Sequence, residues 1–180
     1  MFASVSASGV NGPVGLAFDA FGNLFESNTG NGTIDKIMPD GSRTIFNSTI
    51  NVPLGLALNE NGTLFAADGT GAIWKLNSRG MAATAFASNL SLPVGLAFDT
   101  SGSLFAADFN NNAVFRFTPT GTETVFATGL RGPEFLAFGP PRGVPESTAT
   151  GVLLLISVLV LIVIKSRRFF VSHSQTARRS

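Results

Sequence analysis

Pro13-Val14-Gly15-Leu16-Ala17-Phe18-Asp19 returns as Pro53-Leu54-Gly55-Leu56-Ala57-Leu58-Asn59, and again as Pro93-Val94-Gly95-Leu96-Ala97-Phe98-Asp99. A worn fourth copy reads Pro133-Glu134-Phe135-Leu136-Ala137-Phe138-Gly139. The four prolines stand 40 residues apart each time. A fixed period of that length marks a repeat architecture in which one supersecondary unit stacks on the next.

Working outward from the proline, each unit reads as four short strands. The first runs over about 15–18, entered by a proline whose missing N–H need not join a ladder. A turn follows, with Gly22, Gly62 and Gly102 free to take positive φ three residues after Asp19, Asn59 and Asp99. The second strand is expected at 23–26, 63–66 and 103–106, around Leu24-Phe25, Leu64-Phe65 and Leu104-Phe105. A third falls at 34–37, 73–76 and 114–117. A Pro-x-Gly turn (Pro39 to Gly41, Pro119 to Gly121) leads to a fourth at 44–46, 84–86 and 124–126, closed by Phe46, Phe86 and Phe126. Four antiparallel strands in about 40 residues make one blade of a β-propeller. The expected blades are 13–52, 53–92 and 93–132, with a partial blade at 133–139.

Composition agrees. Among 180 residues there are 20 glycines and 17 phenylalanines, one tryptophan and no tyrosine. Phenylalanine recurs at repeat-locked positions, so it belongs to packing between blades. Trp74 takes the third-strand slot held elsewhere by Asp35 and Phe115, which could turn it outward as a lone contact residue, though packing is the favoured reading. There is no cysteine, which excludes disulfides, thiolate metal sites and thiol catalysis. The single histidine, His173, lies in the tail, so the repeats can form neither a Ser-His-Asp triad nor a histidine metal cluster. Residues 1–140 carry six basic and ten acidic side chains, and residues 141–180 six basic and one acidic. An acidic repeat region lacks the clustered positive field that nucleic acid needs.

Asn28, Asp68 and Asp108 are expected just after the second strand of each unit. Oxygen ligands ringed around an axis suit Ca²⁺ or another divalent cation. The plainer reading is that they cap turns through nearby backbone. Glu26 stands apart, because Ala66 and Ala106 hold its slot. Glu26, Asp68 and Asp108 are therefore the candidate metal-ligating residues, and no catalytic residue is assigned.

The ends differ from the middle. Residues 1–12 carry no basic region followed by an apolar core, so no signal peptide is read there and the start is expected to be truncated. Residues 140–148 form a linker. The run Gly151–Ile164 is apolar apart from Ser157, and a transmembrane helix is expected over 149–165. Lys165, Arg167 and Arg168 follow it as a basic stop. By the positive-inside rule the basic tail, 166–180, stays cytoplasmic and the blades lie on the periplasmic or extracellular side of a single-pass protein.

The repeat pattern Pro-x-Gly-Leu-Ala-Phe-Asp, then Gly-x-Leu-Phe-Ala-Ala-Asp, then Pro-x-Gly resembles NHL repeats over about residues 10–139. It is also similar to the wider six-bladed propeller group that includes gluconolactonase-like proteins. The NHL resemblance implies a binding platform, and the gluconolactonase resemblance a metal-dependent lactonase with acidic and asparagine ligands at a central channel. Val144-Pro145-Glu146, the apolar run and the arginine cluster together resemble a PEP-CTERM sorting signal, with Ser147 in place of the usual second proline. That resemblance implies a bacterial protein, export, and an exosortase-like processing enzyme acting on the tail.

The expectation is thus an all-β propeller fragment with one C-terminal transmembrane α-helix. Its expected function is an exported, membrane-tethered or surface-sorted binding or scaffold module without catalysis or cofactor, for an unknown protein or carbohydrate ligand. The alternative is a gluconolactonase-like, metal-dependent hydrolase. Three blades leave strand edges open, so either further blades complete the ring or two chains pair as a homodimer to close it.

Overall fold

In a computed structural model of the chain, residues 10–138 are described together with the strand Val160–Ile164. Blade 1 comprises β1 (Pro13–Phe18), β2 (Leu24–Asn28), β3 (Thr33–Ile37) and β4 (Arg43–Asn47). Blade 2 comprises β5 (Pro53–Leu58), β6 (Leu64–Asp68), β7 (Ala72–Leu76) and β8 (Ala83–Ala87). Blade 3 comprises β9 (Pro93–Phe98), β10 (Leu104–Asp108), β11 (Ala113–Phe117) and β12 (Glu123–Ala127). Each is a four-stranded antiparallel meander in chain order. The fourth unit contributes β13 (Pro133–Phe138), which pairs with β14 (Val160–Ile164) in a two-stranded sheet.

The turns explain why the chain reverses where it does. After β1, the Asp19 carboxylate accepts the backbone N–H groups of Phe21 and Asn23 at 2.9 and 2.8 Å, and Gly22 sits at φ 81°. Asn59 and Asp99 repeat the arrangement, with Gly62 and Gly102 at φ 72° and 76°. A side chain that satisfies turn donors, followed by a residue free to adopt left-handed backbone, is what a tight reversal requires.

Period-two alternation then sorts each blade's side chains onto two faces. Phe65, Ala67 and Ile73 of blade 2 pack with Leu96, Leu104, Ala106 and Phe117 of blade 3. Leu56, Leu64, Ala66 and Leu76, on the other face of blade 2, pack with Phe25, Ile34 and Ile50 of blade 1. The core is therefore not one mass but a series of seams. Phenylalanines mark each of them: Phe65 meets Phe86 and Phe98 edge-on at 5.0 and 5.1 Å, and Phe105 meets Phe126 and Phe138 at 4.9 and 5.0 Å. Such pairs add about 0.5–1.5 kcal/mol each beyond the area they bury.

The innermost strands β1, β5, β9 and β13 stand side by side. Their third residue decides how closely. A Cβ on Gly15 would run into the Leu54 carbonyl oxygen, on Gly55 into that of Val94, and on Gly95 into that of Glu134. The Pro-x-Gly pattern is thus a packing requirement: glycine lets the next blade's backbone lie against it.

One sequence expectation changes. The second strand reaches two residues further than expected, so Asn28, Asp68 and Asp108 are its last residues rather than loop residues. Trp74 packs, as the favoured reading had it, against the seam between blades 1 and 2, and its Nε1 donates to Asp68 Oδ2 at 3.1 Å. Val160–Ile164 pairs with β13 as strand β14. The rest of the expected 149–165 span, the sorting motif Val144, Pro145 and Glu146, and the stop residues Lys165, Arg167 and Arg168 lie outside the described residues. Among the described residues no helix is long and apolar enough to cross a membrane.

Candidate functional site

The three repeat-locked Asx positions share one local role. Both carboxylate oxygens of Asp108 accept backbone N–H groups from the loop leading into β9, Leu92 at 2.9 Å and Ser91 at 2.8 Å, and Asn111 Nδ2 adds a third bond at 2.8 Å. Asn28 Oδ1 accepts the Asn11 N–H, at the matching place ahead of β1, at 3.1 Å. Asp68 accepts the Thr70 N–H at 3.0 Å in addition to the Trp74 indole. These residues are buried, at 0–3 % exposure, because they pin loops to the blade.

Glu26 belongs to a different setting. It lies on β2 with Asp35 opposite on β3, on the face of blade 1 that points away from blade 2. Asp35 Oδ2 accepts from Asn28 Nδ2 at 2.8 Å and from Arg43 Nε at 2.9 Å. Burial pushes the Glu26 carboxyl above its ordinary value, the nearby Asp35 adds to that, and the Arg43 charge offsets part of it.

A divalent metal of the gluconolactonase kind does not fit these residues. The oxygens of Asp68 and Asp108 already accept from nearby backbone and side-chain donors, and Glu26 stands with Arg43 on another face. Among the described residues no three His, Cys, Asp or Glu side chains gather into a metal site.

Two surfaces are open enough to bind something. The first is the wall of the half-channel, lined by Gly15, Gly55, Gly95 and the neighbouring Leu16, Leu56, Leu96 and Phe135, all without titratable groups. The second is a groove of about 670 Å³ between blades 1 and 2 at the turn end. Its floor is Phe25, Phe46, Leu58 and Leu64, and its rim carries Asp19, Phe21, Lys36, Glu60, Asn61 and Ser78. Phe21 is 85 % exposed. The corresponding groove between blades 2 and 3 is about 290 Å³. Phe98 meets Phe65 in the later seam, whereas Leu58 holds the same repeat position beside Phe25 in the earlier one. Sequence reading aligned these positions without giving weight to the Phe-to-Leu change.

Comparison with solved structures places this architecture among β-propellers. The chain is similar to a virginiamycin B lyase from Staphylococcus aureus at 21 % identity and a TM-score of 0.61, covering 69 % of this chain and 44 % of that one. It is similar to a gluconolactonase from Xanthomonas campestris at 20 % identity and a TM-score of 0.66, covering 73 % and 52 %. It is also similar to a chain of a nidogen/laminin complex at 23 % identity and a TM-score of 0.66, covering 71 % and 52 %. The match thus spans about half the length of these chains. At these identities the likeness shows the fold. No protein-family model and no curated protein matches the chain.

Proposed function

We propose that the chain is part of a propeller that works as a binding module rather than as a catalyst, and that the groove between blades 1 and 2 takes a carbohydrate or a ligand of similar chemistry. The observation that carries this reading is the groove itself: exposed Phe21, partly buried Phe46 and the Phe25 floor offer apolar ring surfaces, and Asp19, Lys36, Glu60 and Asn61 offer donors and acceptors around them. Sugars present an apolar face and a hydroxylated edge, and such a groove meets both. Export, sorting through 144–146 and tethering by the apolar tail are part of the same proposal, and they rest on the tail's sequence.

The test is binding of a polysaccharide panel to the full chain in detergent. Leu58→Phe, which fills the groove as Phe98 fills its counterpart, and Phe21→Ala should each weaken binding at least tenfold while the melting temperature holds. Binding unchanged by both substitutions would remove the groove from consideration. The rival reading is a metal-dependent lactonase, raised by the likeness to a gluconolactonase and opposed by the hydrogen bonds that already occupy Asp68 and Asp108. It requires a bound divalent cation and lactone hydrolysis that disappears in Glu26→Ala or Asp108→Ala.

A further inference from the structure

The groove between blades 2 and 3 matches the first groove in position but not in charge. In the first, Lys36 stands opposite Phe25, its Nζ 5.4 Å from the ring centre and 3.9 Å from Asp19 Oδ2. Glu60 adds a second carboxylate to that rim. In the second, Lys75 stands opposite Phe65 in the same register. Asn59 holds the place of Asp19, and Thr100 that of Glu60. Both carboxylates are gone while the cation stays.

Lys75 is the one charged residue among those lining the second groove. It is exposed, and among the described residues its ammonium has no ion-pair partner. The counterpart in blade 3, Arg116, donates to Ser103 Oγ at 2.9 Å. Around Lys75 stand the rings of Phe65, Phe86 and Phe98, the Asn59 amide and the Thr120 hydroxyl. A cleft with one unquenched charge concentrates ligands of the opposite sign. Asn59 lines both grooves, so the two are contiguous across the turn between β5 and β6.

Taking the first groove as a carbohydrate site, on which this inference rests, we infer that the ligand is an acidic saccharide spanning both grooves, with a neutral unit in the first and an anionic group, a carboxylate or a sulfate ester, on Lys75. Asp19 and Glu60 repel an anion from the first groove. Asn59 withholds the counter-charge that would quench Lys75. The turn itself does not need that asparagine: Asn59 Oδ1 accepts the Asn61 and Thr63 N–H groups at 3.1 and 2.8 Å, and the Asp19 and Asp99 carboxylates accept the matching ones. Asn59 therefore differs from its counterparts in charge and not in its turn role.

The test titrates the full chain in detergent with matched polymers: polygalacturonate and alginate, each beside its carboxyl-reduced neutral form, and dextran sulfate beside dextran. The expected result is that an acidic member binds the native chain at least about fivefold tighter than its neutral counterpart, the scale of one exposed charge pair. Which pair shows the preference tells a carboxylate from a sulfate ester. Salt should erode the preference, because Lys75 is exposed. Lys75→Gln removes the cation, and Asn59→Asp gives it the partner that Lys36 has. Each should bring the two affinities of that pair together while the melting temperature holds. Neutral polymers that bind as tightly as acidic ones overturn the inference and leave the first groove standing as a carbohydrate site. A preference that survives either substitution overturns it as well, because the anion then sits elsewhere. Binding by no polymer, acidic or neutral, removes the reading of the first groove and this inference together.

Discussion

The Phe65 ring meets Phe98 of the next blade edge-on, with centroids 5.1 Å apart and planes 73° from parallel. It also meets Phe86 of its own blade. One side chain thus ties the second strand of a blade to its own outer edge and to its neighbour. Phe65→Ala should destabilise the chain by about 3–5 kcal/mol, the usual range for emptying a buried phenylalanine site. Phe21→Ala should change stability by less than about 0.5 kcal/mol, since Phe21 lies on the surface. Urea unfolding of both variants checks the contrast.

Glycine is needed for two separable reasons. Gly55 has ordinary backbone, but a Cβ there meets the Val94 carbonyl, so Gly55→Val should open the seam and cost more than about 3 kcal/mol. Gly62 has nothing within 4 Å of a Cβ but sits at φ 72°, so Gly62→Ala should cost about 1 kcal/mol of backbone strain alone. Equal losses in thermal unfolding would contradict the close-approach explanation.

Asp108 holds the backbone N–H groups of Ser91 and Leu92. Asp108→Ala orphans both and should cost about 1–3 kcal/mol. Asp108→Asn should cost less, because Asn28 does the same work ahead of β1 with one amide oxygen. Calcium should leave the melting temperature of the native chain unchanged. A calcium-dependent rise that Asp108→Asn abolishes would return this residue to the metal-ligand reading.

Glu26 and Asp19 should give stability opposite slopes with pH. Burial raises the Glu26 value above 4.5 in the folded chain, so the folded state holds its proton more tightly. That contribution is full below pH 4.5 and disappears as pH rises through the raised value. For Asp19, desolvation raises the value, but hydrogen bonds from Asn23 and Phe21 and the Lys36 charge outweigh it, leaving it below 3.8. Its contribution is present above pH 3.8 and disappears on acidification. Glu26→Gln should therefore stabilise the chain at neutral pH relative to the native protein, with the gain vanishing below pH 4.5. A gain independent of pH would sink the assignment.

Much of this was legible in the sequence for a physical reason. A blade's strands, turns and seams are all local features repeated at one period, so Pro13, Gly22, Leu24-Phe25 and Phe46 could be aligned with their counterparts before any coordinates. What could not be read was which partner each repeated group meets. Asp108 reads in the sequence as a turn-capping residue first and a cation ligand second, but which backbone it caps is seen only when the loop ahead of β9 supplies the amides. Trp74 shares its slot with Asp35, and only the seam with blade 1 shows that its indole packs there and donates to Asp68. The Leu58 groove was hidden because a leucine among phenylalanines reads as conservative, and only the shape of the seam shows the groove beside it.

The identity of β1 and β9 has a consequence for how such a chain can lengthen. An in-frame duplication of forty residues within the array inserts a unit whose two flanks already match their new neighbours, so growth by unequal crossing-over needs no compensating substitutions there.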